Sequence, residues 1–136
     1  MTEPYKLIGK AVPKVDAPDK LKGSAVYAED ISFPGMMYLK VLRSDRPHAR
    51  IVTIHTEKAE AHPGVVAVFT SKDITGRNRV GVATKDQRVL CDDKVRFIGD
   101  PVAMVAAETL AAAEEALRLI RVDYDDLPGI FSPEAA

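Results

Sequence analysis

Val102 to Ala107 is a near-continuous apolar run bounded by the turn residues Gly99-Asp100-Pro101, and it constrains the fold more than any other stretch. A short segment with apolar side chains on both faces belongs in the middle of a sheet. Thr109 then caps a helix over Leu110 to Ile120, where Leu110, Ala113, Leu117 and Ile120 recur at three and four residues and share one face. Val122 and Tyr124 alternate with Arg121, Asp123 and Asp125, so the chain leaves the helix into another strand, which Leu127-Pro128-Gly129 ends.

The remaining elements arrange themselves around that unit. Residues 1–35 read as an extended arm: Pro4, Pro13, Pro18 and Pro34 forbid a long helix, with a short strand expected only at Val26-Tyr27-Ala28. Met36 to Ser44 reads as a strand with Met37, Leu39 and Val41 on one face and Tyr38, Lys40 and Leu42 on the other. After the connection Asp45-Arg46-Pro47-His48, Ala49 to His55 reads as a second strand, most simply paired antiparallel with the first. Thr56 caps a short helix over Glu57 to Ala61, Pro63-Gly64 stops it, and Val65 to Thr70 is a buried strand. Residues 75–93 read as a long charged loop, and Val95-Arg96-Phe97 as a brief strand. Strand-helix-strand therefore occurs over 49–70 and 102–125, each expected to bring two parallel strands together through a right-handed crossover. The expected architecture is α+β, a mixed sheet with helices packed on it, organised as an arm over 1–35 and one domain over 36–136.

Composition narrows the functional classes. The 136 residues, 46% hydrophobic and 29% charged, suit one globular domain rather than a disordered chain. A net charge of -1 argues against nucleic acid as the main partner. The charge is unevenly placed: +3 over residues 1–56, +1 over 57–107 and -5 over 108–136. The acidic end is ordinarily a solvated face, and more sharply read a surface for a basic partner. No stretch approaches the ~18 apolar residues of a membrane span, and Met1 to Lys6 lacks the layout of a secretory leader, so the cytoplasm is the expected compartment.

Few residues invite chemistry. His48, His55 and His62 fall seven apart, but a turn, a strand end and a helix stop are poor grounds for one metal centre. Cys91 precedes Asp92-Asp93, whose charge raises a thiol pKa, and reads as a small half-buried residue. Gly76-Arg77-Asn78-Arg79-Val80-Gly81 has the glycine separation of a phosphate loop but continues with Val82 and Ala83 instead of Lys and Ser or Thr. The carboxylates Asp92, Asp93, Asp123, Asp125 and Asp126 have no nucleophile beside them, and Ser44, Ser71 and Ser132 lack His and acid partners at any triad spacing.

An ordered set of short stretches nevertheless resembles one family. It runs Ile8-Gly9-Lys10, Val15 to Tyr27, Leu42-Arg43-Ser44, His48 to Ile51, Pro63 to Val68, Asp93 to Ala103 and Val122 to Pro128. In that order these are similar to the start of the molybdenum-binding large subunit of the xanthine dehydrogenase and aldehyde oxidase family, which includes 4-hydroxybenzoyl-CoA reductase and carbon monoxide dehydrogenase. The resemblance implies an α/β hammerhead domain with a structural role in a molybdenum hydroxylase acting on aromatic, heteroaromatic or aldehyde carbon. The complete enzyme would use molybdopterin, iron-sulfur clusters and FAD. The expected partners are the molybdenum-cofactor domains of the same enzyme and its iron-sulfur and flavin subunits. The family's cofactor-binding and catalytic residues lie in domains expected to follow Ala136, so no catalytic, cofactor-binding or metal residue is assigned to this chain. The expected interface residues are Arg43, Ser44, Arg46 and His48 in the strand connection and Arg77 and Arg79 in the long loop. A stand-alone binding or assembly module of the same fold is the second reading. A free metal or thiol enzyme, which needs His48, His55, His62 or Cys91 to converge, is the third.

Overall fold

A computed structural model of the protein describes residues 7–135. The expectation drawn from Met1 to Lys6, that they form no secretory leader, lies outside the described residues. The chain divides into two units, Met1–Pro34 and Gly35–Ala136.

Among the described residues of the first unit, one α-helix forms: α1 (Ala17–Lys22), with Pro18 in its first turn, where a missing N–H costs nothing. Gly23 ends it at φ 71°, a left-handed conformation that glycine adopts without strain. The strand expected at Val26-Tyr27-Ala28 is absent. A 3-10 turn covers Ala28–Asp30 instead, because the Asp30 carboxylate accepts from the Tyr27 N–H at 2.9 Å and closes the backbone on itself.

The second unit is α+β. Its strands are β1 (Tyr38–Arg43), β2 (Ala49–His55), β3 (Val65–Phe69), β4 (Arg79–Val80), β5 (Gln87–Arg88), β6 (Lys94–Val95), β7 (Pro101–Ala107) and β8 (Arg121–Asp126). Its α-helices are α2 (Glu57–Glu60) and α3 (Leu110–Leu119). Two three-stranded sheets form, ordered β1-β7-β3 and β6-β2-β8, and β4 and β5 make a separate hairpin. Every pair is antiparallel.

β7 is the central strand that its apolar run demands, bonded to β1 along one edge and to β3 along the other. The expected partner of β1 was β2, and the structure corrects this. At the end of β1 the Ser44 N–H donates to the Asp100 carbonyl and the Gly99 N–H donates to the Ser44 carbonyl, both at 2.8 Å. Those bonds tie the connection to the approach of β7 and leave β2 to pair with β6 and β8. The expected parallel crossovers are corrected for the same reason: β2 and β3 lie in different sheets, as do β7 and β8.

Two bulges explain why strict alternation misassigns some faces. Ile51 pairs with Tyr124 and Thr53 with Asp123, so Val52 is the extra residue, and Ile51 and Ile54 both turn inward. Val65 pairs with Ala107 and Ala67 with Ala106, so Val66 is extra, and Val65 and Val68 both face the core.

The core is built from small residues. Ala59, Ala103, Val105 and Ala116 are fully buried together, with Leu42, Val68, Leu117 and Ile120 packed against them. Thr109 caps α3 as expected, its hydroxyl accepting from the Ala112 N–H at 3.1 Å. Ala113, Leu117 and Ile120 of the expected face do lie against the core, joined by Ala112 and Ala116, while Leu110 lies exposed. Alanine lets the helix axis approach the sheet closely. Gly64, at φ 82°, completes that approach, since a Cβ there would sit 3.3 Å from the Ala112 Cβ. Ala116→Leu should therefore overpack the contact and cost about 1–3 kcal/mol. Urea unfolding of the variant beside the parent measures it.

Candidate functional site

The connection Ser44 to His48 is fastened on both sides. The Ser44 hydroxyl accepts from the Arg46 N–H at 2.9 Å and donates to the Arg46 carbonyl at 3.2 Å, which closes the turn locally. The side chain of Arg43 donates to the Gly99 carbonyl at 2.9 Å. The Leu127 N–H donates to the His48 carbonyl at 2.9 Å. His48 Nδ1–H donates to the Pro128 carbonyl at 2.8 Å, which leaves Nε2 to accept from the Lys94 ammonium at 3.1 Å. Arg46 reaches Asp126 at 3.4 Å.

Asp100 anchors the other side of this seam. Its carboxylate is 3% exposed and accepts from the Arg96 N–H at 2.7 Å. Arg96 in turn pairs with Asp93 at 3.4 Å. The Cys91 N–H donates to the Pro101 carbonyl at 2.8 Å, seating Cys91 among Ala49, Val95 and Val102. Cys91 is fully buried rather than half-buried. Burial, reinforced by the Asp100 carboxylate, pushes its thiol up to about 12, so it is the protonated form that the fold holds.

The long loop over 75–93 contains the β4–β5 hairpin. Asn78 pins it, donating to the Leu90 carbonyl at 2.7 Å and accepting from the Leu90 N–H at 3.0 Å, with Leu90 itself fully buried. Arg77 and Arg79 flank this pin and are exposed, and Val82 stands fully exposed beyond β4. Gly81 permits the turn: at φ 150° a Cβ would collide with the Thr84 carbonyl oxygen.

The six expected interface residues thus fall in two places. Arg43, Ser44, Arg46 and His48 share the seam, where Ser44 is buried and does not protrude. Arg77 and Arg79 stand on the hairpin. Sequence reasoning missed Asp100 and Asn78. The only signal for Asp100 is a carboxylate between Gly99 and Pro101 at the mouth of a buried strand. Asn78 carries no signal, because its partner lies twelve residues away on backbone.

The histidines do not share partners. His55 Nε2 lies 2.7 Å from Asp123, with the Arg121 guanidinium against both, and His62 lies between the Pro63 carbonyl and Glu115. Among the described residues no three His, Cys, Asp or Glu side chains gather as a metal holder. An iron-sulfur cluster needs several thiolates, and the single cysteine is a buried thiol. The donor set here does not fit molybdenum or iron-sulfur ligation. What the seam does is mechanical: its donors and acceptors are spent on holding two sheets and a turn in register.

Comparison with known proteins follows the same lines. Residues 22–128 match the family model described as aldehyde oxidase and xanthine dehydrogenase, a/b hammerhead domain. A probable xanthine dehydrogenase subunit of Bacillus subtilis (strain 168) is 54% identical over 121 residues, covering 89% of this chain and 16% of its own length. The nicotinate dehydrogenase large molybdopterin subunit of Eubacterium barkeri is 47% identical over 136 residues, covering 100% of this chain and 32% of its own. The crystal structure of quinoline 2-oxidoreductase from Pseudomonas putida 86 superposes with a TM-score of 0.84 at 35% identity, over 94% of this chain and 17% of that one. The Cu,Mo-CO dehydrogenase structure superposes with a TM-score of 0.87 at 36% identity, over 93% and 16%. The chain therefore spans between about a sixth and a third of the length of these relatives.

Two outcomes are expected. Asn78→Ala should remove both bonds to Leu90 and leave its buried backbone groups unpaired, at a cost of about 1–3 kcal/mol, read from the chemical-denaturation midpoint. Stability should also fall at both ends of the pH scale. Asp73 is held below its usual 3.8 by the Thr70 N–H, and Asp123 is held below 3.8 by its bond to His55. At Asp93 burial opposes ionisation but is outweighed by the Lys94 N–H and by Arg96, again below 3.8. The stability these groups confer is present above pH 3.8 and lost as pH falls through their folded values. The Cys91 thiol titrates near 9.0 when free and at about 12 in the fold, so its contribution is present below pH 9.0 and is lost toward 12. A denaturation midpoint flat across both ranges would contradict this.

Proposed function

Because the chain belongs to the aldehyde oxidase and xanthine dehydrogenase family as its a/b hammerhead domain, we propose that it is the structural N-terminal domain of a molybdenum hydroxylase large subunit. Its task is to hold neighbouring parts of the enzyme in place, while the redox chemistry resides in other polypeptide. The observation that carries this reading is the state of the polar groups. The best-built constellation, around Ser44, His48 and Asp100, is spent on internal hydrogen bonds. The complete enzyme oxidises or reduces an aromatic, heteroaromatic or aldehyde carbon at a molybdopterin centre, with iron-sulfur and flavin subunits carrying electrons. No helix among the described residues is long and apolar enough to cross a membrane.

The arm over 1–35 is a docking segment distinct from the domain over 36–136. Its apolar side chains Leu7, Ile8, Val15 and Leu21 are exposed, which suits a peptide that lies on another surface. Arg77 and Arg79 are the polar contacts on the hairpin, and Arg43, Arg46 and His48 those beside the seam. Ser44 acts beneath the surface by shaping the turn that presents them.

Two measurements test this. The purified chain should carry no stoichiometric molybdenum and turn over no substrate without its partners; metal content near one per chain, or activity of the chain alone, would refute the scaffold role. In the assembled enzyme, Arg77→Glu with Arg79→Glu should weaken subunit retention on gel filtration. The loss should grow with ionic strength if the remaining contacts are ionic.

A further inference from the structure

His55 closes β2, and the ladder register sets it directly opposite Arg121, the first residue of β8. Its Nε2 lies 2.7 Å from the Asp123 carboxylate. An ionised carboxylate only accepts, so Nε2 carries the proton. An amino group of Arg121 donates to the same oxygen at 3.3 Å. Nδ1 of His55 has no partner among the described residues. A carboxylate that fixes one imidazole nitrogen leaves the other available to a ligand.

The imidazole borders a cavity of about 240 Å³, whose other walls are Glu57 and Lys58 from α2, Leu119 from the end of α3, and Arg121. Sites for drug-sized ligands run from roughly 300 to 1,000 Å³, so this one fits a single small group. Lys58 has no ion-pair or hydrogen-bond partner among the described residues, and Arg121 spends only one amino group on Asp123. The charged groups facing His55 are Arg121 and Asp123 on β8 and Glu57 and Lys58 on α2, while α3 contributes the apolar Leu119. Lys58 and Arg121 cancel Glu57 and Asp123 while His55 is neutral. A proton on Nδ1 turns the site cationic and gives it a further donor. A metal ion is the other ligand that a carboxylate-backed imidazole takes; here two cations repel it, and no three metal donors gather among the described residues.

We propose that this cavity binds a tetrahedral oxyanion, either free phosphate or the phosphate of a small ester, between Lys58, Arg121 and a His55 that takes up a proton on binding. Donors from three separate side chains suit an anion with at least three oxygens better than a planar carboxylate, which one guanidinium satisfies alone. Asp123 steadies the imidazolium from behind, and Glu57 opposes the anion. The site goes beyond the scaffold reading and does not rest on it.

The test is ¹H–¹⁵N NMR of the 136-residue chain, titrated at constant ionic strength with inorganic phosphate, phenyl phosphate and sulfate. Saturable shifts should centre on residues 55–58 and 119–121. Phenyl phosphate binding tighter than phosphate identifies an ester, through contact of its ring with Leu119; equal binding identifies the free ion. Sulfate, whose charge is constant over this range, should bind at least about fivefold tighter at about pH 6 than at about pH 8. Lys58 and Glu57 are exposed, so their replacement spares the core. Lys58→Gln should weaken phosphate binding about threefold and Glu57→Gln should tighten it about twofold, with Lys72→Gln, outside the cavity, unchanged. Shifts that never saturate or that centre elsewhere would overturn the proposal. So would sulfate binding that is flat with pH, or the same response to Glu57→Gln as to Lys58→Gln. None of these readouts involves molybdenum or subunit retention, so failure here leaves the scaffold reading to its own tests.

Discussion

The close seat of α3 on β7 is the contact on which the second unit depends. β7 is hydrogen-bonded along both edges, so it fixes β1 and β3 in place at once. Ala113 and Ala116 then meet Ala103, Val105 and Ala107 across the helix–sheet contact with no exposed surface left on any of them. Small side chains gain less from leaving water than leucine or phenylalanine does. What they provide is proximity: backbones pack closely, dispersion contacts become dense and the core has little freedom to rearrange. The surrounding larger residues, Leu42, Val68, Leu117 and Ile120, seal the rim of this contact.

From that seat the topology follows by alternation. Successive long strands change sheets: β1 and β7 lie with β3, while β2 lies with β6 and β8. Each switch needs backbone groups satisfied at the crossing point, and the Ser44–Asp100 seam supplies them. A chain that crosses between sheets cannot use short hairpins for its main pairings. Its β-pairs are therefore long-range in sequence, which makes folding wait on contacts between distant segments.

That same property limits what local reading recovers. Element positions were legible: the capped helix after Thr109, the central strand at 101–107 and the alternating strand through Val122 and Tyr124 all carry periodic signals. Strand partners were not legible, because pairing of β1 with β7 depends on hydrogen bonds between Ser44 and residues 99 and 100, which no period announces. Strict alternation does not carry through Val52 and Val66, where one extra residue resets it. For the candidate site, the basic hairpin and the strand connection were visible as charged irregular segments. Asp100 and Asn78 were not, since a buried carboxylate and a backbone-mimicking amide are defined by distant partners. The order of short motifs reached further than periodicity because it compares the chain with a whole fold rather than with one element at a time.

The distribution of satisfied and unsatisfied surface is the reverse of what an active site presents. A reactive centre keeps poised polar groups open to a substrate and surrounds them with a closed apolar shell. Here the buried polar groups, Ser44 and Asp100, are closed by internal bonds, while apolar side chains on a sheet face and along the arm stand open. Polar closure makes the seam stiff, since releasing any one bond leaves a buried partner without water to replace it. Apolar exposure makes the remaining faces adhesive without ion pairs that salt would screen. Stiffness at the joint combined with adhesion at the faces is what the proposed mounting role requires, because parts on either side stay in register only if the piece between them does not flex and does not let go.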